Sequence, residues 1–290
     1  MNLMRYRNLY FGISLFFLIP GLLSLLFFGL RPAIDFTGGS SLELSFVGLG
    51  ENTELAQDEE FQTTLAANYE YSVLQSAGEN RVLIKGKEID NQAKDELVLT
   101  LEKNYGAIEV LQFETIGPTL GSELLTKTLV ALLIVASVIT IYVWRQFDEL
   151  KYGVCAILAM LHDSLILLGV FSLLGYFFAV EVDLLFVTAL LTTMSFSVHD
   201  TIVVYDRIRE LKRKNPRIAF ADIANAAVVE TLSRSINNSM TIIIMLLSLV
   251  VLGGESIRLF AVALLVGAVT GTYSSTFTAV PLLLLFEKKK

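Results

Sequence analysis

Long apolar stretches alternate with polar segments along the 290-residue chain. A bilayer core is about 30 Å thick, so a helix of about 20 apolar residues spans it. The pattern therefore predicts six transmembrane helices and a polytopic α-helical membrane protein. The first stretch is too long for the core of a signal peptide, so we expect a retained anchor. The six stretches cover residues 9–30, 124–144, 152–174, 183–205, 236–252 and 259–286.

The polar segment between the first two stretches, residues 31–122, has the pattern of a small α+β domain. Apolar and polar positions that alternate predict strands, and longer amphipathic stretches predict helices. The predicted order β-α-β-β-α-β is that of the split βαβ, ferredoxin-like motif. Strands are expected at residues 41–47, 71–75, 81–85 and 108–115, helices at residues 53–69 and 91–104, and a turn at Ser76, Ala77, Gly78, Glu79 and Asn80.

Charge separates this segment from the rest of the chain. It contains 16 acidic and 6 basic residues, while the whole chain has a net charge of -7, so the remainder is net positive. Such acidity is typical of a soluble domain, and a cation or a basic peptide is a second interpretation. The predicted domains are residues 1–30 (N-terminus and first helix), 31–122 (the α+β domain), 123–286 (five helices with a basic loop at 206–217) and a basic tail at 287–290.

Composition and the positions of lysine and arginine predict the orientation. With 54% hydrophobic residues and a mean hydropathy of +0.62, the chain is too apolar for an ordinary soluble domain. Basic residues cluster at both termini and at residues 206–217, so the positive-inside rule places these in the cytoplasm and residues 31–122 outside. We attribute the basic loop to topology and to attraction for membrane lipid rather than nucleic acid, because no aromatic residues interleave it.

Two opposite charges, one inside an apolar stretch and one at the edge of the next, indicate a functional site. Asp200 lies in the fourth stretch and Arg234 near the start of the fifth. A charge at bilayer depth costs roughly 2.5 to 3.5 kcal/mol on insertion scales, so such residues usually face a partner, a cavity or an ion path. At 1.5 Å per residue the two residues lie at similar depth, so they can pair if their helices are neighbours. Asp163, nearer the midplane, is a candidate second residue of the same path; a pair that only fixes helix packing is the alternative.

The two histidines offer proton relay but no metal site. His162 and His199 are each followed by aspartate, and neighbouring residues on a helix point about 100° apart, so neither pair forms a metal site. Each histidine is a candidate proton relay or a hydrogen-bonding residue between helices. No phosphate-binding loop is present, and Cys155 is expected to pack as a small apolar residue. We therefore expect no cofactor, no metal and no enzymatic activity.

Six motifs occur in order along the whole chain. Together they resemble the SecD/SecF family of protein-export membrane proteins, within the RND superfamily. Each motif alone is weak, but their order is highly specific. The motifs are IDFTGGSSLEL (34–44), IGPTLGSEL (116–124), HDS (162–164), SVHDTIVVYDRIREL (197–211), ETLSRSINNSMT (230–241) and IRLFAVALLVGAVTGTYSSTF (257–277).

The resemblance implies a function and partners. Members of the family use the proton-motive force to assist late polypeptide translocation, after the SecA motor has acted, and their intramembrane aspartate and arginine match Asp200 and Arg234. The implied partners are SecD, the SecYEG translocon and the exported polypeptide, with a YidC-type insertase as a further candidate. The implied location is the bacterial cytoplasmic membrane.

Two departures from the family pattern bear on the coupling ion. His199 stands where the family often has asparagine, and Ser164 replaces a commoner apolar residue. Because His199 adds a titratable group beside Asp200, both protons and sodium ions stay open as the coupling ion. Two functions also stay open: an ion-driven subunit that moves the outer domain, and a structural or chaperone-like subunit in which the charge pair only holds helices together.

Glycines mark the joints of the predicted outer domain. Gly38 and Gly39, with Asp35, follow the first helix, and backbone freedom there favours a hinge over a ligand site. The return into the second helix carries Gly117, Pro118 and Gly121, which are expected to form the second joint. In the last stretch Gly267 and Gly271 form a small-xxx-small face, which permits close helix approach within the bundle or against a partner half.

Overall fold

The computed structural model describes residues 2–47, 55–78, 80–147 and 149–287, of which 255 and 256 by backbone alone. Glu79 of the predicted turn, residues 53–54 of the predicted first domain helix and residues 288–290 of the tail lie outside this part. In chain order the elements are α1 (Arg7–Phe27), α2 (Ile34–Thr37), β1 (Gly39–Phe46), α3 (Glu59–Asn68), β2 (Tyr71–Ser76), β3 (Arg81–Gly86), α4 (Asn91–Tyr105), β4 (Ile108–Ile116), α5 (Pro118–Gln146), α6 (Leu150–Phe178), α7 (Leu184–Lys214), α8 (Phe220–Leu252), α9 (Glu255–Phe277) and α10 (Ala279–Phe286).

The chain divides into two compact units. One unit consists of Met1–Arg31 with Val130–Lys290, and the other of Pro32–Leu129. In the described part of the chain, six helical segments are long and apolar enough to cross a membrane, as the sequence predicts. These segments are Leu3–Phe27, Pro118–Gln146, Leu150–Phe178, Leu184–Lys214, Phe220–Leu252 and Ile257–Phe286.

Several of these helices are longer than the apolar pattern predicts. The expected basic loop at 206–217 is helical as far as Lys214, because charged residues one turn apart support it: Glu210 pairs with Lys214 at 2.7 Å and also with Arg207. In the same way α8 begins at Phe220, where the prediction placed the start of its apolar stretch at residue 236. Polar helical turns carry no hydrophobic signal, so the apolar stretch marks only the membrane part of each helix.

The last apolar stretch is not one continuous helix. The sequence predicts a single span over 259–286, but α9 ends at Phe277 and α10 begins at Ala279. Pro281 lacks the backbone N–H that would bond to the carbonyl of Phe277, which explains the break. Thr278 at the break accepts or donates a 3.0 Å hydrogen bond with Ser14 of α1.

Small and aromatic residues pack the interior of the helical unit. At the crossing of α1 and α6 a Cβ on Gly169 would lie 2.5 Å from Gly21 Cα, so the two backbones touch. Ser24 and Ser172 share a 2.7 Å hydrogen bond at the same crossing. The Tyr205 hydroxyl donates to the carbonyl of Ala279 at 2.7 Å. Helices α6 and α7 are the most buried of the candidate spans, whereas few residues of α5 are buried.

The second unit contains a four-stranded antiparallel sheet. From β1 to β4 its element order is β-α-β-β-α-β, as predicted from the sequence, with the short helix α2 added before β1; its strand order is β2-β3-β1-β4. Alternate residues of β1 face the two helices, and the buried residues form one core. That core consists of Leu42, Leu44, Phe46, Leu55, Phe61, Leu65, Tyr69, Val82, Ile84, Leu97 and Leu101.

Candidate functional site

Asp163 on α6 is the centre of a buried polar cluster. Its side chain is fully buried, and Oδ2 accepts hydrogen bonds from Ser197 Oγ of α7 at 2.6 Å and from Ser274 Oγ of α9 at 2.5 Å. A carboxyl oxygen has two lone pairs, so Oδ2 can accept both bonds. One carboxylate therefore joins three helices inside the unit.

His162 completes one side of this cluster and leaves one nitrogen unused. Its Nδ1 lies 2.9 Å from Asp163 Oδ1, so the ring and the carboxyl group share a hydrogen bond. The other nitrogen, Nε2, is buried and has no hydrogen-bond partner among the described residues. A ring with one fixed and one free nitrogen can pass a proton or change tautomer.

Asp200 lies one helical turn from the cluster but has a different environment. It is 4% exposed, and its Oδ2 has no hydrogen-bond partner in the part of the chain that the structure describes. Ser197, which bonds Asp163, lies three residues earlier on α7, and the hydroxyl of Thr201 donates to the Ser197 carbonyl at 3.0 Å. Asp163 is thus a satisfied buried carboxylate, whereas Asp200 is an unsatisfied one.

Arg234 does not pair with Asp200, contrary to the expectation from depth. Across the described residues neither side chain has an ion pair, and Arg234 is exposed on α8. The buried positions of this part of α8 are Thr231, Ser235 and Ser239, so Arg234 lies on another face of the helix. Counting residues along a helix gives the depth of a side chain in the membrane. It does not give the direction in which that side chain points around the helix axis.

Arg234 instead lines an open cleft between α7 and α8. The cleft has a volume of about 570 Å³ and polar walls formed by Asp206, Arg207, Glu210 and Glu230. Arg207 bridges the two helices, since its Nε donates to Glu230 Oε2 at 2.6 Å and it also pairs with Glu210. This cleft gives solvent access to Arg234.

An exposed polar stripe runs along each of these two helices within the apolar spans. On α7 the exposed residues Thr188, Thr192, Ser195 and His199 recur at three- and four-residue spacing, and Arg234, Asn237 and Thr241 do so on α8. Residues at this spacing share one face of a helix. His199 belongs to this outer stripe, not to the buried cluster of Asp163.

The two predicted joints of the α+β unit touch each other. Gly38 and Gly39 have φ of +73° and +125°, values that side-chain-bearing residues rarely adopt. A Cβ on Gly38 would lie 2.7 Å from Pro118 Cα, and one on Gly121 would lie 2.7 Å from Gly38 N. Gly117 precedes this contact, and Asp35 lies in the first turn of α2. The segment after α1 and the start of α5 therefore form one close backbone contact.

Gly267 and Gly271 pack α9 against α7. A Cβ on Gly267 would lie 2.1 Å from Thr193 Oγ1, and one on Gly271 would lie 3.5 Å from Ser197 Cα. These contacts are within the chain, next to the Ser197 that bonds Asp163. Ser197 and Ser274 were missed as site residues; their signal was a small hydroxyl residue within an apolar stretch, which is weak because many such hydroxyls bond only to their own helix.

The described residues contain no group of three His, Cys, Asp or Glu side chains that could hold a metal ion. The fold and the site define a polytopic α-helical membrane protein with two buried carboxylates in its candidate spans. In sequence its α+β unit follows the first candidate span and runs into the second, α5. Two family models match this chain: "Protein export membrane protein SecD/SecF, C-terminal" over residues 97–289 and "SecD/SecF GG Motif" over residues 23–47. The chain belongs to the SecD/SecF family of protein-export membrane proteins.

Known proteins resemble the chain over nearly its full length. It is 40% identical to the protein translocase subunit SecF of Thermobaculum terrenum and 39% identical to that of Anaerolinea thermophila, covering 99% of this chain and 94% of each relative. The crystal structure of SecDF from Thermus thermophilus superposes with a TM-score of 0.86 at 31% identity. That match covers 99% of this chain but 38% of the SecDF chain. The relatives are named as transport components, not as enzymes.

Proposed function

We propose that the chain is the SecF-type half of a SecD/SecF pair and uses an ion gradient to assist late polypeptide translocation across the bacterial cytoplasmic membrane. The observation that carries this proposal is Asp200: a buried carboxylate inside a candidate span, with one oxygen lacking any partner among the described residues. Keeping such a group is costly, and ionisable residues within spans are functional by default. A carboxylate without a fixed partner can gain and lose a proton at small structural cost.

The exposed polar stripes support a second, SecD-type half as the partner. Asn237, Thr241 and His199 are exposed within apolar spans, where lipid offers them no hydrogen bonds. A membrane-embedded partner with polar groups on its facing helices satisfies them. The length of the solved SecDF chain, of which this chain matches 38%, fits two such halves joined together. Transporters built from two parallel repeats have this arrangement.

In the proposed cycle a proton binds Asp200 from one side of the membrane and leaves toward the other. The polar cleft that Arg234 lines is open at the end of the bundle where α7 ends and α8 begins. Loss of the proton places a charge on the buried Asp200 side chain, so the packing around α7 changes in each cycle. The membrane potential supplies about 2.3 kcal/mol per charge per 100 mV.

The α+β unit is proposed to be an extracytoplasmic ferredoxin-like domain that handles the emerging polypeptide. Its element order and its strand order β2-β3-β1-β4 agree with that motif. The excess of basic residues near both termini and at residues 206–217 favours a cytoplasmic position for these segments. The backbone contact between Gly38 and Pro118 is the proposed hinge. Further proposed partners are SecYEG, a YidC-type insertase and membrane lipid.

A structural subunit without ion conduction is the second candidate. Its support is Asp163, whose hydrogen bonds to Ser197 and Ser274 hold three helices together without any change of charge. In that function the buried polar groups fix helix packing, and Asp200 has no cycle of protonation.

Proton conductance of the reconstituted SecD/SecF complex separates the two functions. Wild type is compared with Asp200→Asn and with Asp222→Asn, which removes an exposed carboxylate in the first turn of α8. The proposal expects conductance to be lost in Asp200→Asn and kept in Asp222→Asn, with the complex intact in both. Equal conductance in all three proteins would contradict ion coupling through Asp200 and support the structural function. Repeating the recording with a sodium gradient identifies the coupling ion.

A further inference from the structure

A cavity of about 960 Å³ lies at one end of the helical unit, apart from the cleft of Arg234. It forms where α6 and α8 begin and where α7 and α10 end. Its lining contains both charged side chains and apolar ones, such as Leu284 and Phe286 of α10. We call it the end cavity, and its charged residues are Arg7, Glu149, Lys151, Lys212, Arg217 and Glu287.

The two lysines of the end cavity are already neutralised. Lys151 pairs with Glu149 at 2.7 Å and with Glu287, and Lys212 lies 3.2 Å from Glu149. The hydrogen bond from the Lys151 ammonium lowers the pKa of the Glu149 carboxyl, so Glu149 stays ionised at neutral pH. Both ammonium groups also lie beside the Phe220 ring, at 5.2 and 5.4 Å from its centroid. These pairs form a fixed wall of the cavity.

Arg7 and Arg217 give the end cavity its net positive charge, because the two lysines are paired with glutamates. Within the described ranges neither guanidinium has an ion pair or a side-chain hydrogen bond, and both line the cavity. Four cations and two carboxylates leave two net positive charges facing one concave surface. Arginine binds phosphate oxygens through two parallel N–H donors, which makes it suited to a phosphate group.

The depth of the end cavity fits the headgroup layer of a membrane. Helix α7 has 31 residues, so it is about 46 Å long and extends beyond a hydrocarbon core of about 30 Å. Lys212, on its last turn, lines the cavity, and α10 brings apolar residues up to the same place. A ligand bound here meets cations on one side and apolar side chains on the other.

We propose that the end cavity binds the phosphate headgroup of an anionic phospholipid, with Arg7 and Arg217 as the phosphate ligands. Leu284 and Phe286 contact the upper part of the acyl chains, and the Phe220 wall with its two paired lysines bounds the headgroup. Basic pockets between helices at the cytoplasmic surface are known to bind such lipids. The shared chemistry is a phosphate anion; the amphipathic lining favours a lipid over free phosphate as its source.

The test measures lipid binding and lipid-dependent stability of the full chain in a neutral detergent. Phosphatidylglycerol, phosphatidylcholine and inorganic phosphate are the three probes. The variant is Arg7→Gln with Arg217→Gln, and the matched control is Arg5→Gln with Arg145→Gln, which removes two exposed arginines near the same helix ends outside the cavity. Phosphatidylglycerol is expected to raise the unfolding temperature of wild type and control, and its affinity for the variant is expected to fall roughly 30-fold.

Three outcomes overturn the proposal. An equal loss in the control variant means that only diffuse surface charge attracts the lipid. Equal stabilisation by inorganic phosphate means that the site takes a free anion, and equal stabilisation by phosphatidylcholine means that the headgroup charge is not recognised. Arg7→Lys with Arg217→Lys guards against a folding defect, because it keeps both charges and is expected to retain part of the affinity.

Discussion

Ser197 donates a 2.6 Å hydrogen bond to Asp163 and lies three residues before Asp200 on the same helix. Ser197 therefore bonds one buried carboxylate and lies one helical turn from a second, and the surroundings of the two carboxylates differ. Asp163 has two hydroxyl donors and a histidine contact, whereas one oxygen of Asp200 has no partner among the described residues. The first arrangement stabilises helix packing, and the second leaves a group free to change its protonation.

Removing the hydroxyl donors of Asp163 is expected to destabilise the helical unit. Ser197→Ala or Ser274→Ala leaves a buried carboxylate with one hydrogen bond fewer, at a cost of about 1–2 kcal/mol each. Thermal unfolding in detergent measures the loss. The control is Ser248→Ala, because the Ser248 hydroxyl is exposed and bonds only the Ile244 carbonyl of its own helix. Equal loss in all three variants would show that Asp163 does not depend on these donors.

Gly267→Ala is expected to disturb the contact between α9 and α7. The new Cβ would lie 2.8 Å from Thr193 Cβ, so rotation of the threonine cannot relieve the overlap and the helices must separate. The expected cost is about 1–3 kcal/mol. Gly12→Ala is the control, since nothing lies within 4 Å of its Cβ and alanine is the better helix former. An unfolding temperature for Gly267→Ala at or above that of Gly12→Ala would contradict a close α7–α9 contact.

The joint at Gly38 can be tested against a second glycine of positive φ. Gly29 and Gly38 have φ of +68° and +73°, so alanine at either position adds backbone strain of about 1–3 kcal/mol. Only at Gly38 does the added Cβ also meet Pro118, at 2.7 Å from its Cα. Gly38→Ala is therefore expected to be the more destabilising variant and to increase protease cleavage of the α+β unit. Equal effects of the two substitutions would mean that backbone strain alone matters there.

The sequence was sufficient to predict the helices and strands, but it did not predict the directions in which the side chains point. Apolar length predicted six spans, and the alternation of polar and apolar residues predicted the order of strands and helices, because both patterns are local. Whether Arg234 faces Asp200 depends on the rotation of α8 about its axis, which packing of Thr231 and Ser235 against neighbours determines. The donors Ser197 and Ser274 come from two different helices, and no local pattern connects them with Asp163.

The orientation predicted from basic residues can be measured by labelling single cysteines in intact cells. Ser76 in β2 and Lys214 at the end of α7 are both exposed, and the native Cys155 is buried. In a Cys155→Ser background, a membrane-impermeant reagent is expected to label Ser76→Cys and to leave Lys214→Cys unmodified until the membrane is opened. Labelling of position 214 in sealed cells would reverse the predicted topology and place the end cavity outside.

The contrast between the two carboxylates gives a prediction that separates structural from functional roles. Asp163→Asn replaces one carboxyl oxygen by an NH₂ group that cannot accept from the hydroxyls, so a loss of about 1–3 kcal/mol is expected. Asp200→Asn replaces a buried carboxyl group, one oxygen of which has no partner among the described residues, so the free energy of unfolding is expected to stay the same within about 1 kcal/mol or to rise.

Both variants are measured by thermal unfolding and, in the SecD/SecF complex, by export driven by an imposed proton gradient. Asp200→Asn is expected to keep its fold and its binding to SecD while the gradient-dependent part of export is lost. Asp200→Glu, which keeps a titratable group, is expected to retain part of that export. If Asp200→Asn is instead as unstable as Asp163→Asn and exports at the wild-type rate once expression is matched, Asp200 serves helix packing alone.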